Sequence, residues 1–307
     1  MDAFDIRREC LPRIVTAGEP IGRLTDSLAV ALGIEGRPLV VSGVHDQIAA
    51  ALGAGALSRG EAADGIGSAE CVTAVLPDTF AHEKLFENNF CVEPHVAAGT
   101  FVTLAFNNAA GASLKWFRDT LEPALQNECQ RQGMSAYAAL NATMSEAPSP
   151  LLFLPHLAGS GTPFMDASSK GMIVGLTLNS SKPDIYRAIL EGNNYEIRFN
   201  LELLTQCGLQ VSELTATGGG AARDALQIKA DILQMPIHML HSAQSGTVGM
   251  AILCGKACGQ FASLCEGARA IVKRTATVEP SRAYRQMYDE KYEQYRNMYQ
   301  AMRLIYN

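Results

Sequence analysis

The segment Thr217-Gly218-Gly219-Gly220-Ala221-Ala222-Arg223-Asp224 constrains this chain more than any other. Residues 213–217 read as a short strand, and residues 221–234 read as a helix that starts as soon as the glycines end. Three glycines in a row cost more chain entropy than a tight turn requires. A backbone that bare, at a helix amino terminus, lets an anionic ligand approach main-chain N–H groups closely. No Gly-Lys-Ser/Thr follows, so this is not a Walker loop, and the spacing is not the dinucleotide fingerprint. A plain strand–helix turn remains the alternative reading of the glycines alone.

The surrounding pattern supplies the rest of an α/β layout. A short buried strand over 37–43 runs into His45-Asp46-Gln47 and an Ala-rich helix over 48–52, closed by Gly53 and Gly55. Residues 62–76 form two strands around Gly65-Ile66-Gly67-Ser68, and residues 98–106 form a third. Helices are expected near 110–120 and 134–144, with short strands at 151–154 and 171–176. A long helix over 183–206 carries Ile185, Ile189, Tyr195 and Leu201 near helical spacing, with Pro183 in its first turn. Beyond the glycines come a strand at 236–240, a helix at 246–258 and one long Tyr/Met/Arg-rich helix at 279–305. Strands followed by strand–helix alternation predict an α/β or α+β domain with a mixed central sheet. Residues 1–36 are mixed and turn-rich.

Two further sites carry chemistry. In Ser42-Gly-Val-His-Asp46-Gln47, an aspartate stands where a buried strand gives way to a helix, the place where α/β proteins put ligands. A carboxylate there can accept a proton from a substrate hydroxyl or hold a metal ion. Asp46 as an N-cap, with His45 simply hydrogen-bonded, is the plainer reading. In Asp64-Gly-Ile-Gly67-Ser68-Ala-Glu70, two glycines and a hydroxyl lie between strands, and the turn can meet a phosphate without a Cβ in the way. An ordinary β-turn is the alternative.

Composition excludes several function classes. The 307 residues are 48% hydrophobic and 18% charged, with a net charge of −6 and no Arg/Lys run, which argues against binding a nucleic-acid backbone. The cysteines at 10, 71, 91, 129, 207, 254, 258 and 265 are scattered, with no second pair at zinc-site spacing, and read as free thiols of a reducing compartment. Asn141-Ala-Thr and Asn179-Ser-Ser match a glycosylation pattern that matters only on secretion. The amino terminus has no apolar targeting core, and no stretch is long enough to span a bilayer. A cytoplasmic chain without membrane or nucleic-acid partners is expected.

Taken together and in order, these motifs resemble the FGGY family of carbohydrate kinases. Gly171-x-Ile173-x-Gly175-Leu176, seven residues, then Asp184-Ile-x-x-Ala188-Ile-Leu-Glu191 is similar to the family's carboxyl-half signature. Gly43-x-x-Asp46 resembles its catalytic aspartate motif. Gly67-Ser68 resembles its Gly-Thr phosphate turn, and Gly218-Gly-Gly-Ala its adenine-side loop. Asn107-Asn-Ala-Ala-Gly-Ala and Trp116 are similar to a stretch of the pentulose kinases.

The resemblance implies an actin-like, ribonuclease-H-like domain and an ATP-dependent sugar or polyol kinase. Within it, residues 1–57 are the tail of a first domain carrying the catalytic aspartate. Residues 58–275 are the nucleotide domain, and 276–307 are a packed carboxyl-terminal helix. The expected cofactors are ATP and Mg²⁺, with phosphates near Gly67, Ser68 and Gly175 and adenosine against Gly219, Gly220 and Asp224. Asp46 is the implied catalytic residue, and Gln47 and His45 are implied sugar contacts. Asp166 and Glu191 read as structural, and no protein metal site is expected.

The family's first domain, with its Asp-x-Gly phosphate loop, has no counterpart in these residues. The expected partners are therefore a sugar, ATP and that domain. The chain alone is expected to be inactive, and its uncovered apolar face is expected to favour self-association, a homodimer included. A non-catalytic nucleotide-binding module is the alternative.

Overall fold

Glycine and alternation between faces together build the central hairpin of this computed structural model, which describes residues 6–306. The chain first forms Pro20–Arg23 (β1), Asp26–Leu32 (α1), Leu39–Val41 (β2) and Asp46–Gly53 (α2). Ala62–Ile66 (β3) and Glu70–Val75 (β4) then pair antiparallel, Ile66 opposite Glu70, around the turn 67–69. His82–Glu87 (α3), Glu93–Pro94 (β5) and Phe101–Asn107 (β6) follow, and β6 lies antiparallel to β4. Next come Ala110–Leu121 (α4), Pro123–Gln132 (α5), Ala136–Thr143 (α6), Leu152–Leu154 (β7) and Met172–Val174 (β8). The long helix Lys182–Gln206 (α7) leads to Leu214–Thr217 (β9), Arg223–Leu233 (α8), Ile237–Leu240 (β10) and Ser245–Ala257 (α9). Leu264–Ile271 (α10), Arg274–Val278 (β11), Arg285–Tyr295 (α11) and Met298–Tyr306 (α12) complete the chain.

The main sheet has seven strands in the order β11-β10-β9-β3-β4-β6-β5. β9 runs parallel to both β3 and β10, whereas β3, β4 and β6 alternate in direction. Three antiparallel strands beside two parallel ones make the mixed sheet of the ribonuclease-H-like arrangement. Alternation sends Ala62, Val72 and Ala74 to one face, where Ile197, Leu201 and Leu204 of α7 and Leu226 and Ala230 of α8 cover them. Ala63, Val75 and Val102 point the other way, toward Ile48 and Ala51 of α2.

α2 also lies against α9 with almost no gap. A Cβ at Gly53 would strike the Ser245 backbone, and one at Gly249 would strike the Ala49 carbonyl. Only glycine lets the two helices approach this closely.

α7 is fixed at its start by a capping box. Ser181 Oγ accepts from the Asp184 amide, the Asp184 carboxylate accepts from the Ser181 amide, and Pro183 sits in the first turn. Its outer face carries Tyr186, Ile189 and Tyr195, which pack with Phe117, Phe153, Tyr288, Tyr292 and Tyr295.

Several elements differ from the sequence reading. The tail is two helices, separated at Arg296–Asn297, and this break lets Tyr292, Tyr295, Met298 and Met302 all bury on the same cluster. The strands β1, β5 and β11 and the helices α1, α3, α5 and α10 lie in stretches where the sequence reading placed no element; most are short, and α10 is short although amphipathic.

Candidate active site

Two glycine turns meet at the end of the sheet. Gly65 of β3 pairs with Thr217 of β9, so the turns that follow these strands emerge side by side. The Gly220 amide donates to the Ile66 carbonyl at 3.1 Å. Gly218 has a φ of +92°, a region that side chains disfavour, and a Cβ there would lie 2.5 Å from the Ile66 oxygen. At Gly219 nothing lies within 4 Å of where a Cβ would project, so that position is open.

The turn 67–69 is polarised. The Gly111 and Ala112 amides, at the start of α4, donate to the Gly67 and Ser68 carbonyls at 3.1 and 3.0 Å. The carbonyls are thereby occupied. The Ser68 hydroxyl is exposed beside them.

Between the turns lies a cleft of about 390 Å³, with Gly67, Ser68, Gly219 and Gly220 in its lining. Its far wall is Tyr137, Asn141 and Tyr186, where the Tyr186 hydroxyl donates to Asn141 Oδ1 at 2.9 Å. Burial pushes the Tyr186 phenol well up, which keeps it a donor. Asn193 of α7 also lines the cleft; its Nδ2 donates to the Ala110 carbonyl and its Oδ1 accepts from Asn107, both at 3.1 Å. The mixture of apolar wall and few fixed polar groups suits a flat heteroaromatic ligand with a phosphate tail. The start of α8, directly after Gly220, adds a favourable helix end for negative charge.

Asp46 occupies the first turn of α2, after His45, whose side chain makes no cap. It is therefore not the N-cap residue. His45 Nε2 is 3.2 Å from Asp46 Oδ1, and His45 Nδ1 is 3.1 Å from Glu93 Oε2. The Asp46 side chain is 84% exposed and has no Lys or Arg partner among the described residues. Gln47 reaches inward, with Oε1 3.3 Å from the position of a Gly65 Cβ. The helix start carrying Asp46 thus abuts the strand that feeds the phosphate-type turn.

Other expected site residues lie elsewhere. Gly175, with a φ of +95°, packs against Pro150 and Leu151 at the end of β8, away from the cleft lining. Asp224 is exposed in the first turn of α8 and also does not line the cleft. Asp166 accepts from Ser168 and from the Tyr299 hydroxyl, so it anchors its loop to α12. Glu191 is buried and accepts from Arg187 and the Ser149 amide.

Sequence reasoning gave no role to Glu93, Asn193, Tyr137 or Tyr186, nor to the buried charges Asp64, Glu70 and Lys229. Glu70 and Lys229 also line the cleft. The partners in these groups are far apart in the chain, so no spacing announces them.

No group of three His, Cys, Asp or Glu that could hold a metal ion occurs among the described residues. All eight cysteines are free thiols. No helix among the described residues is long and apolar enough to cross a membrane.

Comparison with known proteins agrees with this fold. The chain is 29% identical to a xylulose kinase of Staphylococcus epidermidis over 305 residues, covering 99% of this chain and 59% of that protein. It is 28% identical to a ribulokinase of Anoxybacillus flavithermus, covering 93% of this chain and 52% of that one. A solved xylulose kinase from Lactobacillus acidophilus superposes with a TM-score of 0.84 at 22% identity, over 99% of this chain and 60% of that one, a likeness of fold. The chain thus spans a little under three-fifths of the length of the first of these relatives. The model of the FGGY family of carbohydrate kinases, C-terminal domain, matches residues 65–258, and the chain belongs to that family.

Proposed function

We propose that this chain supplies the nucleotide-binding half, and the proton acceptor, of an ATP-dependent kinase acting on a pentulose or a similar sugar or polyol. The observation that carries the reading is the convergence of Gly67-Ser68 and Gly219-Gly220 on one cleft whose wall is Tyr137, Asn141 and Tyr186. On this reading residues 1–57 end a first domain, 58–275 bind the nucleotide, and 276–307 brace α7.

The chain's own residues do the following. The bare backbone at Gly67 admits the terminal phosphates to the Ser68 hydroxyl and the Ser68 and Ala69 amides, the Gly67 amide being bonded to the Ala69 carbonyl, and the open space at Gly219 leaves room for the nucleoside. Asp46 receives the proton of the sugar hydroxyl as its oxygen attacks in line, oriented by His45 and Glu93. Gln47 binds a neighbouring hydroxyl, and His45, whose two ring nitrogens face Asp46 and Glu93, takes a hydroxyl by exchanging one of those partners. Mg²⁺ neutralises phosphate charge when bound. Held mainly by phosphate oxygens and water, it needs at most one or two protein carboxylates. Gly175 and Asp224, off the cleft in this structure, belong to the site only if the turns carrying them close on the nucleotide. Eight free thiols support a reducing compartment, which on this reading is the cytoplasm.

Titration of the whole chain with ADP–Mg²⁺ tests the first part: saturable binding is expected, and its absence at millimolar nucleotide overturns the assignment. Adding the amino-terminal portion of a related xylulose kinase and a panel of pentuloses tests the second. Phosphoryl transfer lost in Asp46→Asn supports it. Tight nucleotide binding with no transfer to any sugar in the reconstituted protein would favour a non-catalytic module.

A further inference from the structure

Beneath the cleft lie three charged side chains that the proposed chemistry does not use. Asp64 is 0%, Glu70 2% and Lys229 3% exposed. Strand alternation puts them together. Asp64 lies on the same face of β3 as Ala62, and Glu70 on the same face of β4 as Val72 and Ala74, the face covered by α8. Lys229 descends from α8 between them. Its Nζ donates to Asp64 Oδ2 at 2.5 Å and, closer still, to Glu70 Oε1. Asp64 and Glu70 flank the turn 67–69, and α8 begins directly after Gly218–Gly220.

Such a triad is a poor way to gain stability. Burying charges costs several kcal/mol per ion, and apolar replacements of a whole buried set are often neutral or stabilising, whereas removing one member costs about 3–5 kcal/mol. What the triad adds is geometry. An ammonium held between two buried carboxylates tolerates little variation in the distance between α8 and the β3–β4 hairpin. Leucines in its place would allow sliding. One Asp64 oxygen accepts no hydrogen bond, and burial pushes the Glu70 carboxyl up to about 7. Both mark a cluster held at a cost.

We propose that Lys229 is a positioning residue that clamps the two glycine turns at a fixed separation and thereby sets the width of the cleft for its ligand. The ligand part of this rests on the nucleotide reading above; the clamp itself does not. Lys229 reaches the hairpin strands on either side of one turn while its own helix carries the other, so a single side chain holds both rims. The Gly220–Ile66 backbone bond closes the rim at one point, and the triad fixes it at a second, deeper one. Two points of attachment remove the hinge that one would leave.

The test uses the full chain with all three charges replaced by apolar residues, Asp64→Val/Glu70→Leu/Lys229→Met, followed by amide hydrogen exchange, urea unfolding and ADP–Mg²⁺ titration. Exchange at 67–69 and 218–221 is expected to speed about tenfold while the urea midpoint is held or raised. The ADP–Mg²⁺ Kd is expected to weaken about tenfold. A second variant, Glu70→Asp, keeps the charges paired but shortens one arm, and is expected to speed exchange at 67–69 more than at 218–221. Lys229→Arg, which keeps both ionic bonds, is expected to retain slow exchange at both turns. Unchanged exchange at both turns in the triple variant, or in Glu70→Asp should the triple variant not fold, overturns the clamp. Absence of ADP–Mg²⁺ binding by the parent chain overturns the nucleotide reading instead, and the exchange rates still judge the clamp.

Discussion

The glycine-lined cleft, walled by α7 and α8, and the Asp46 segment of α2 lie on opposite faces of one sheet, yet they are finished to different degrees. The cleft has two rims, a wall and a charged floor, all from this chain. Asp46 stands on a helix start with only His45 beside it and 84% of its side chain open. A cleft closed on both sides can bind by itself. A lone carboxylate facing open space can accept a proton only when something else presents the hydroxyl. The two regions should therefore fail independently: damage to one should leave the other's measurable property intact.

The largest effect expected from that separation is in the Asp46 segment. In protein completed with a related first domain, Asp46→Asn is expected to lower kcat by about 10²–10⁴-fold, the usual worth of a positioned base. ADP–Mg²⁺ affinity should not move, and a parallel loss in titration would show that the regions are one site. Gly219→Val makes the converse test. Its Cβ projects into open space in the parent, so folding is unaffected while the branches intrude on the ligand. Nucleotide affinity is expected to fall about 10–100-fold, with the melting temperature unchanged.

A third prediction concerns pH. Burial is the chief cause that pushes the Glu191 carboxyl from about 4.5 up to about 7, against the opposing pull of Arg187 and the Ser149 amide. The folded chain thus holds this proton more tightly than the unfolded one. Its contribution is greatest below about pH 4.5 and is lost as the pH rises to about 7, on the order of 3 kcal/mol. Glu70 shifts in the same direction for the same main reason. Urea unfolding at pH 5 and pH 8 should show the fall, and apolar replacement of the Asp64, Glu70 and Lys229 set should remove the cleft's share and leave that of Glu191. The smallest effect belongs far from both regions: Ser181→Ala removes the α7 cap and should cost about 1 kcal/mol in unfolding, with binding and transfer unaltered.

What could be read from the sequence followed chain proximity. The strand–glycine–helix step at 217–223, the hairpin around Gly67 and the long helix after Pro183 are all local, and each stands near its expected place. Short, polar or interrupted elements were not legible. β11 alternates residues with few large apolar side chains, and the tail's heptad-like run of tyrosines hides a break at Arg296–Asn297 that only the aromatic cluster explains.

The candidate site divided in the same way. Gly67, Ser68, Gly219 and Gly220 stand out in the sequence as bare backbone between strands or before a helix, and they do line one cleft; Asp46 stands out because it follows a strand, and it does not line that cleft. Glu93 beside His45, and Lys229 between Asp64 and Glu70, depend on strand order and face. A single chain pattern carries no trace of which strands become neighbours. Gly175 shows the opposite case: its glycine is required by a positive φ and by the nearness of Pro150, a local need that says nothing about ligands.

The meeting of Gly53 and Gly249 has a consequence well beyond its own neighbourhood. These two residues work as a gauge block: the helix that bears Asp46 meets α9 across them, and the spacing of the two helices is whatever their missing side chains allow. One added methyl group would lift that helix. A displacement near 1 Å at a reacting group can cost about a hundredfold in rate. On the reading of Asp46 as the proton acceptor, calibration of the chemistry is entrusted to two atoms that are not there, one to two helical turns from the carboxylate.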